Sequence, residues 1–321
     1  MVKEHIQLML KKGIIQESNS PWSQPLVIVT KKDGSPRFCV DFRKLNAITK
    51  KQVFPMSGID EVLDSLGDSC YFTTLDLASG YWQVPMDPED MEKTAFCTRS
   101  GNFEFRVMAM GLVNASFTFQ KMMQLVLSGL QWNICMVYLD DVIVFSKSFQ
   151  KHLDNLHLVF DRFRNEGLRL KPKKCHFCKP QVLYLGHIVG KNGVRPNPEK
   201  VSCIANYPVP TNCNEVRSFV ALCSYYRRFI KGFPSIASPL HAVLKKGVQF
   251  DWTSKCQSSF EQLRDSLLGE PILSYPDFKH RFELYTDASN TGIGAVLSQN
   301  INGKEKTLAY ASRSLKPHEG K

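Results

Sequence analysis

No stretch of the 321 residues approaches the roughly 20 apolar side chains that a membrane-spanning helix requires. The strongly apolar stretches, such as Leu26-Val27-Ile28-Val29, have the length of a strand. Met1-Val2-Lys3-Glu4-His5 lacks the apolar core of a secretory signal. No internal repeat or low-complexity tract is present, which excludes a solenoid, and no Gly-Lys-Ser/Thr phosphate loop is present, which argues against a P-loop ATPase. The ten cysteines are scattered rather than set in a compact disulfide framework. Cys175 and Cys178 form a Cys-x-x-Cys, but no second pair stands at zinc-site spacing. Acidic residues are the minority: 30 against 41 Lys and Arg, for a net charge of +11. That excess suits a polyanionic partner, either nucleic acid or an anionic membrane surface. With 43% hydrophobic and 22% charged residues, the chain reads as a folded, soluble, intracellular protein of about two domains.

Ile6, Met9 and Leu10 stand at helical spacing and stop at Gly13. Residues 25–30 and 37–42 read as strands joined by the hairpin chemistry of Lys31 to Pro36. Ile59, Val62, Leu63 and Leu66 form a helical stripe that Ser57 caps, with Asp60 three residues on. Tyr71 to Asp76 is strand-like, 114–129 helical, and Ile134–Tyr138 and Val142–Phe145 are two strands around an acidic turn. Residues 150–166 place Leu153, Leu156, Phe160 and Phe163 on one helical face. Beyond 190, prolines break the chain into short helical segments around 213–231 and 254–268. A strand-like stretch follows at Phe282-Glu283-Leu284-Tyr285. The class is α+β, with a helical middle and a short β-rich tail.

Tyr138-Leu139-Asp140-Asp141 is the sharpest local feature, because adjacent carboxylates in a tight turn repel each other. By itself such a turn is commonly just solvated. Asp76, at the end of a second strand, adds a third carboxylate. Three such oxygens can bind two hard divalent cations, and two metals about 3.5–4 Å apart support an in-line displacement at phosphorus.

Taken in order, Ser18-Asn19-Ser20-Pro21-Trp22, Lys31-Lys32-Asp33-Gly34, Val40 to Asn46 (VDFRKLN), Thr74 to Gln83 (TLDLASGYWQ), Tyr138 to Asp141, Tyr184-Leu185-Gly186-His187, Val216-Arg217-Ser218-Phe219 and Tyr225 to Ile230 (YYRRFI) form a series. The series resembles the reverse transcriptase of gypsy-class long-terminal-repeat retrotransposons over essentially the whole chain. The resemblance implies a right-hand polymerase with fingers and palm over 1–190, thumb and connection over 191–275, and the first strands of a ribonuclease H-like domain over 276–321. It implies RNA- and DNA-directed DNA synthesis, with Asp76, Asp140 and Asp141 as ligands of two Mg²⁺ ions, or Mn²⁺. Lys31 and Arg37 match the residues gripping the incoming triphosphate. Tyr81 matches the ring that excludes a 2′-hydroxyl, and Met110 lies beside the nucleotide pocket. Tyr184, Leu185, Gly186 and His187 match the hairpin that positions the primer terminus. The implied partners are an RNA template, a DNA primer or template and deoxynucleoside triphosphates, with no membrane. The implied location is the cytoplasm, including element-derived particles, with access to the nucleus. The basic run Arg169, Lys171, Lys173, Lys174 is expected near the palm edge, as a phosphate contact or a solvated face.

Two departures bear on activity. Where the family carries Met-Pro-Phe-Gly-Leu and Asn-Ala-Pro, this chain has Met108-Ala109-Met110-Gly111-Leu112 and Asn114-Ala115-Ser116, losing two stiffening prolines. The alternative reading is therefore a decayed remnant that only binds nucleic acid. In the tail, Asp287 in Tyr285-Thr286-Asp287-Ala288-Ser289 matches the first metal ligand of ribonuclease H. Glu319 precedes the next catalytic helix and is not counted. One carboxylate cannot hold two metals, so ribonuclease H activity is expected to be absent, and the chain reads as a polyprotein fragment or truncated copy.

Overall fold

The computed structural model describes residues 2–30, 34, 36–269, 271–288, 292–316 and 319, with the side chains of Thr30, Pro36 and Arg37 left out. Along the chain come α1 (Val2–Lys11), β1 (Ile15–Glu17), β2 (Leu26–Thr30), β3 (Pro36–Val40), α2 (Arg43–Ile48), α3 (Ile59–Asp64) and β4 (Tyr71–Asp76). Next are α4 (Pro88–Met91), β5 (Phe96–Thr98), β6 (Gly101–Phe105), α5 (Ala115–Val126), β7 (Cys135–Tyr138), β8 (Asp141–Ser146) and α6 (Phe149–Asn165). The remainder holds β9 (His176–Lys179), β10 (Gln181–Tyr184), β11 (His187–Gly190) and β12 (Gly193–Pro196). It continues with α7 (Pro198–Ala205), α8 (Cys213–Tyr225), α9 (Phe233–Val243), α10 (Ser254–Leu268), β13 (Glu283–Ala288), β14 (Gly292–Ile301) and β15 (Lys304–Ser314). The α+β reading holds. No helix among the described residues is long and apolar enough to cross a membrane.

The chain divides into two compact units, one formed by 1–57, 73–145 and 149–177, the other by 58–72, 146–148 and 178–321. In the first, α1 lays Ile6 and Met9 against Phe42, Phe96, Phe103, Phe105 and Ala109. Phe96 meets Phe38 edge-on and lies 5.6 Å from Phe105, so aromatic packing adds to burial here. The hairpin β2–β3 is a two-stranded sheet and leaves Val27, Ile28 and Val29 exposed. The sheet that matters most has the strand order β7-β8-β4-β9. Helix α6 buries His152, Asn155, Leu156, Val159 and Phe163, and Leu153 is exposed. The apolar spacing alone had placed Leu153 inward; buried polar residues occupy that face instead. His152 Nε2 meets Thr73 Oγ1 at 2.8 Å, and Asn155 Nδ2 donates to Phe145 O, so each has a partner in the core, although Asn155 Oδ1 accepts no hydrogen bond from the described residues.

In the second unit, α3 is capped at Gly58, not Ser57: the Glu61 carboxylate, rather than Asp60, accepts from the Gly58 N–H. A glycine cap supplies no side-chain oxygen, so the box closes from one side only. Among the described residues, the stretch after 190 holds four α-helices, α7 to α10, rather than two helical segments. Asn197 caps α7 ahead of Pro198, Asn212 caps α8, and Thr253 caps α10. Their core includes Val216, Phe219, Phe260 and Leu263, with the rings of Phe219 and Phe260 4.5 Å apart. The tail forms the antiparallel sheet β13-β14-β15. None of the ten cysteines is in a disulfide; burial pushes the thiols of Cys135 and Cys223 up to about 12.

Gly193 opens β12, where Val194 and Leu273 exchange two 2.9 Å backbone hydrogen bonds. Its φ is +126°, and a Cβ there would lie 2.2 Å from Leu273 O. Gly193→Ala should destabilise the protein by about 2–4 kcal/mol, the sum of backbone strain and overpacking. Gly247→Ala, at φ +83° but facing open space, should cost only the strain part. Urea unfolding of the two variants checks the difference; equal midpoints refute the clash.

Candidate active site

Asp76 closes β4, and Asp140 and Asp141 stand where β7 turns into β8. Strands β4 and β8 are neighbours, and Cys70 N donates to Ser146 O at one end of the pair. Asp76 and Asp141 therefore lie toward the opposite end. Tyr138 pairs with Asp141, leaving Leu139 and Asp140 as a two-residue hairpin loop. Leu139 has φ +56°, a conformation usually left to glycine at this turn position. The buried Gln120 of α5 holds it there: its amide nitrogen donates to Val137 O at 3.2 Å and its oxygen accepts from Leu139 N. Nothing in the sequence reading singled out Gln120; the available signal was an amide beside Phe119 on an apolar helical face.

Segment 169–171 runs alongside 76–78. Ala78 N donates to Arg169 O, Lys171 N to Asp76 O, and the Gln83 side chain bonds both Ala78 O and Arg169 O. The basic run thus reaches the carboxylates themselves, with Lys174 Nζ 2.9 Å from Asp76 Oδ2. Behind the strand end, the Cys175 thiol lies 3.5 Å from Asp76 N. Asp141 is open to solvent at the turn tip, but protein on its strand side partly desolvates it. That desolvation, followed by the charges of Asp140 and Asp76, raises its pKa, and Lys174 opposes the rise. Among the described residues, no three His, Cys, Asp or Glu side chains converge as a ready-made metal cage. The donor chemistry nonetheless fits Mg²⁺, a hard ion that takes one or two carboxylates and completes its shell with waters and substrate phosphates.

Tyr81 is half-buried, tilted against Phe119 at 5.3 Å, with its hydroxyl 3.2 Å from Ser116 Oγ. The serine that replaces a family proline therefore bonds the tyrosine. The Met110 side chain is exposed. The loop carrying it is held by two asparagines: Asn46 donates to Gly111 O and accepts from Val113 N, and Asn114 donates to Lys50 O and accepts from Gln52 N. Lys31 lies outside the described residues; Arg37 is on β3, its side chain likewise outside them. Tyr184, Leu185, Gly186 and His187 form the β10–β11 turn of the second unit. Asp287, also in that unit, is the only carboxylate among the described residues lining a cleft of about 240 Å³ between β13–β15 and the start of α9.

A family model described as reverse transcriptase (RNA-dependent DNA polymerase) matches residues 29–189, and one described as an RNase H-like domain found in reverse transcriptase matches 252–321. The chain belongs to the reverse transcriptase family. Within it, the chain is 44% identical, over 99% of its length, to the retrovirus-related Pol polyprotein from transposon 297 of Drosophila melanogaster, and 41% identical over 99% to that from transposon gypsy of the same organism. It spans 30% and 32% of those relatives. The fold is that of a solved foamy viral protease-reverse transcriptase in complex with double-stranded DNA: TM-score 0.91 at 24% identity, covering 100% of this chain and 56% of that one. The motif series thus identified the family and the fold.

Because Asp141 holds its proton more tightly in the folded state, its ionisation costs stability. The cost is absent below the ordinary carboxylate range and appears as pH rises through it. Asp141→Asn should therefore raise the metal-free melting temperature at pH 7 but not at pH 3.5, and should reduce the stabilisation produced by millimolar Mn²⁺. Thermal melts with and without EDTA check this; a lower metal-free melting temperature for the variant at pH 7 would contradict it.

Proposed function

We propose that this chain is the polymerase portion of a retrotransposon reverse transcriptase, adding deoxynucleotides to a primer 3′-hydroxyl on RNA or DNA templates. The observation that supports it most is the gathering of Asp76, Asp140 and Asp141 at one end of adjacent strands, close enough for Asp140 and Asp76 to perturb Asp141. Two Mg²⁺ or Mn²⁺ ions held there would activate the attacking hydroxyl and stabilise the leaving pyrophosphate.

The protein's own side chains supply the rest. Gln120 fixes the turn so that Asp140 and Asp141 are presented together. Lys174 neutralises Asp76 until substrate and metal arrive. Tyr81, braced by Phe119 and Ser116, sits below the sugar and excludes a 2′-hydroxyl by its bulk. Lys31 and Arg37 grip the triphosphate as point charge and planar fork. Met110 lies beside the base, and Tyr184 to His187 position the primer end. In this reading 1–190 are fingers and palm, 191–275 thumb and connection, and 276–321 ribonuclease H-like, with RNA cleavage lying outside the activity because Asp287 is the only carboxylate among the described residues lining its cleft. Nucleic acid is the partner that the net charge of +11 favours. The Asn46 and Asn114 clips and the Ser116–Tyr81 bond restrain the segments that lost prolines, which favours a competent enzyme over a decayed one.

Purified protein with Mg²⁺ should extend oligo-dT on poly-rA. Asp140→Asn should lower the extension rate more than about a hundredfold, as loss of a charge-stabilising group does. Its primer–template affinity should change little, because few phosphate contacts are removed. Extension by Asp140→Asn at the parent rate would refute the assignment.

Tyr81→Val should raise ribonucleotide incorporation relative to deoxynucleotide by about tenfold or more, the scale of a steric discrimination worth ~1.4 kcal/mol. The ratio of kcat/KM for the two nucleotides checks it, and an unchanged ratio removes Tyr81 from the gate.

A further inference from the structure

The β10–β11 turn is held by more than its own backbone. Leu185 and Gly186 have φ of +44° and +70°, so both loop residues are left-handed, as a tight primed turn demands. Each of their carbonyls is captured from outside the hairpin: Tyr225 OH donates to Leu185 O and Tyr226 OH to Gly186 O, both at 2.8 Å. The two tyrosines are consecutive and their rings are perpendicular, which lets neighbouring residues reach neighbouring carbonyls.

His187 engages the same turn and the same two tyrosine rings. Its Nδ1 lies 2.6 Å from Leu185 O, and its ring is stacked between Tyr225 and Phe229, at 5.5 and 5.7 Å, with Tyr226 edge-on. Burial holds its pKa below the usual value, and the ring stacks as a neutral aromatic. A Cβ on Gly186 would come within 3.1 Å of the Tyr225 ring, so the contact is close-packed. Tyr226 is buried, whereas Tyr225 is 46% exposed and still reaches the turn. A surface phenol that stays bonded to a turn carbonyl contributes little to core packing; its contribution is to where the turn sits.

The segment that presents the two phenols is itself anchored. Arg228, nearly buried, pairs with Asp60 at 2.7 Å and Asp64 at 3.0 Å on α3, and Arg227 donates to Ser312 O on β15 at 2.7 Å. The run Tyr-Tyr-Arg-Arg thus faces two ways, with phenols on the hairpin and guanidiniums on α3 and the tail sheet.

We propose that the Tyr225 and Tyr226 hydroxyls are positioning groups that fix the Leu185-Gly186 turn and, through it, the primer 3′ end. The proposal rests on the polymerase reading for what the hairpin does; the tyrosines touch the turn, not the reacting atoms. Phenylalanine keeps both rings against His187 and removes only the hydroxyls, so Tyr225→Phe, Tyr226→Phe and the double variant test it directly.

Two readouts are needed, on a DNA primer carrying 2-aminopurine at its 3′ end and annealed to an RNA template. The first is fluorescence of the bound primer terminus without nucleotide, which requires no catalysis. The second is single-turnover incorporation. The double variant should show altered 2-aminopurine fluorescence and a maximal rate reduced about ten- to a hundredfold, the scale set by small misplacements of reacting groups. Its KM for nucleotide, primer–template Kd and melting temperature should stay near the parent's. Unchanged fluorescence and rate overturn the proposal. So does a rate loss matched by lost primer affinity and a lower melting temperature, which is a purely structural effect. If the parent itself fails to extend, the polymerase reading fails, and the fluorescence comparison alone decides whether the phenols set the terminus.

Discussion

Carboxylates brought together at one end of a sheet repel one another, and each must also give up part of its water. Much of the first unit can be understood as restraint on that arrangement. The hairpin is forced through a left-handed leucine, and a buried glutamine amide bonds that leucine's N–H and the Val137 carbonyl two residues before it. The opposing strand end is tied to a basic segment whose Lys174 supplies the missing positive charge. Strain of about 1–3 kcal/mol at a non-glycine residue persists only where surrounding contacts over-determine it, and Gln120 is that over-determination. The site is stable against its own charge because neutral amides, not counter-charges alone, set its geometry.

The second unit treats its turn differently. The β10–β11 loop carries no charge problem, and its glycine suits the left-handed backbone. What it needs is location, and rings and hydroxyls provide it. Two two-residue turns, one with a single left-handed residue and one with two, are thus fixed by different chemistry: an amide clip where the loop is charged, an aromatic box where it is neutral.

How much of this was legible beforehand follows from which interactions are local. The strand endings at Asp76 and Tyr138 were readable, and the start of β8 to within one residue, because alternation and turn chemistry act over a few residues. The family was readable because many short motifs fall in order. Gln120, Ser116 and Lys174 were not assigned their contacts, since each acts across 19 to 98 positions of chain and carries no local mark. Ser116 was even read as a loss, because a missing proline is visible in sequence and a gained hydrogen bond is not. Leu153 was placed inward because apolar spacing cannot reveal that His152 and Asn155 have partners in the core.

Two buried thiols give this protein an internal means of reporting its own opening. A thiol reacts as the thiolate, so Cys135 and Cys223, with values pushed up to about 12, are almost inert while folded. Cys135 belongs to the unit of the carboxylates and Cys223 to the unit of the aromatic box. Alkylation of each therefore waits on exposure of its own surroundings. Timed labelling read peptide by peptide gives two separate clocks in one chain, one for each half of the machinery, without adding a probe to either.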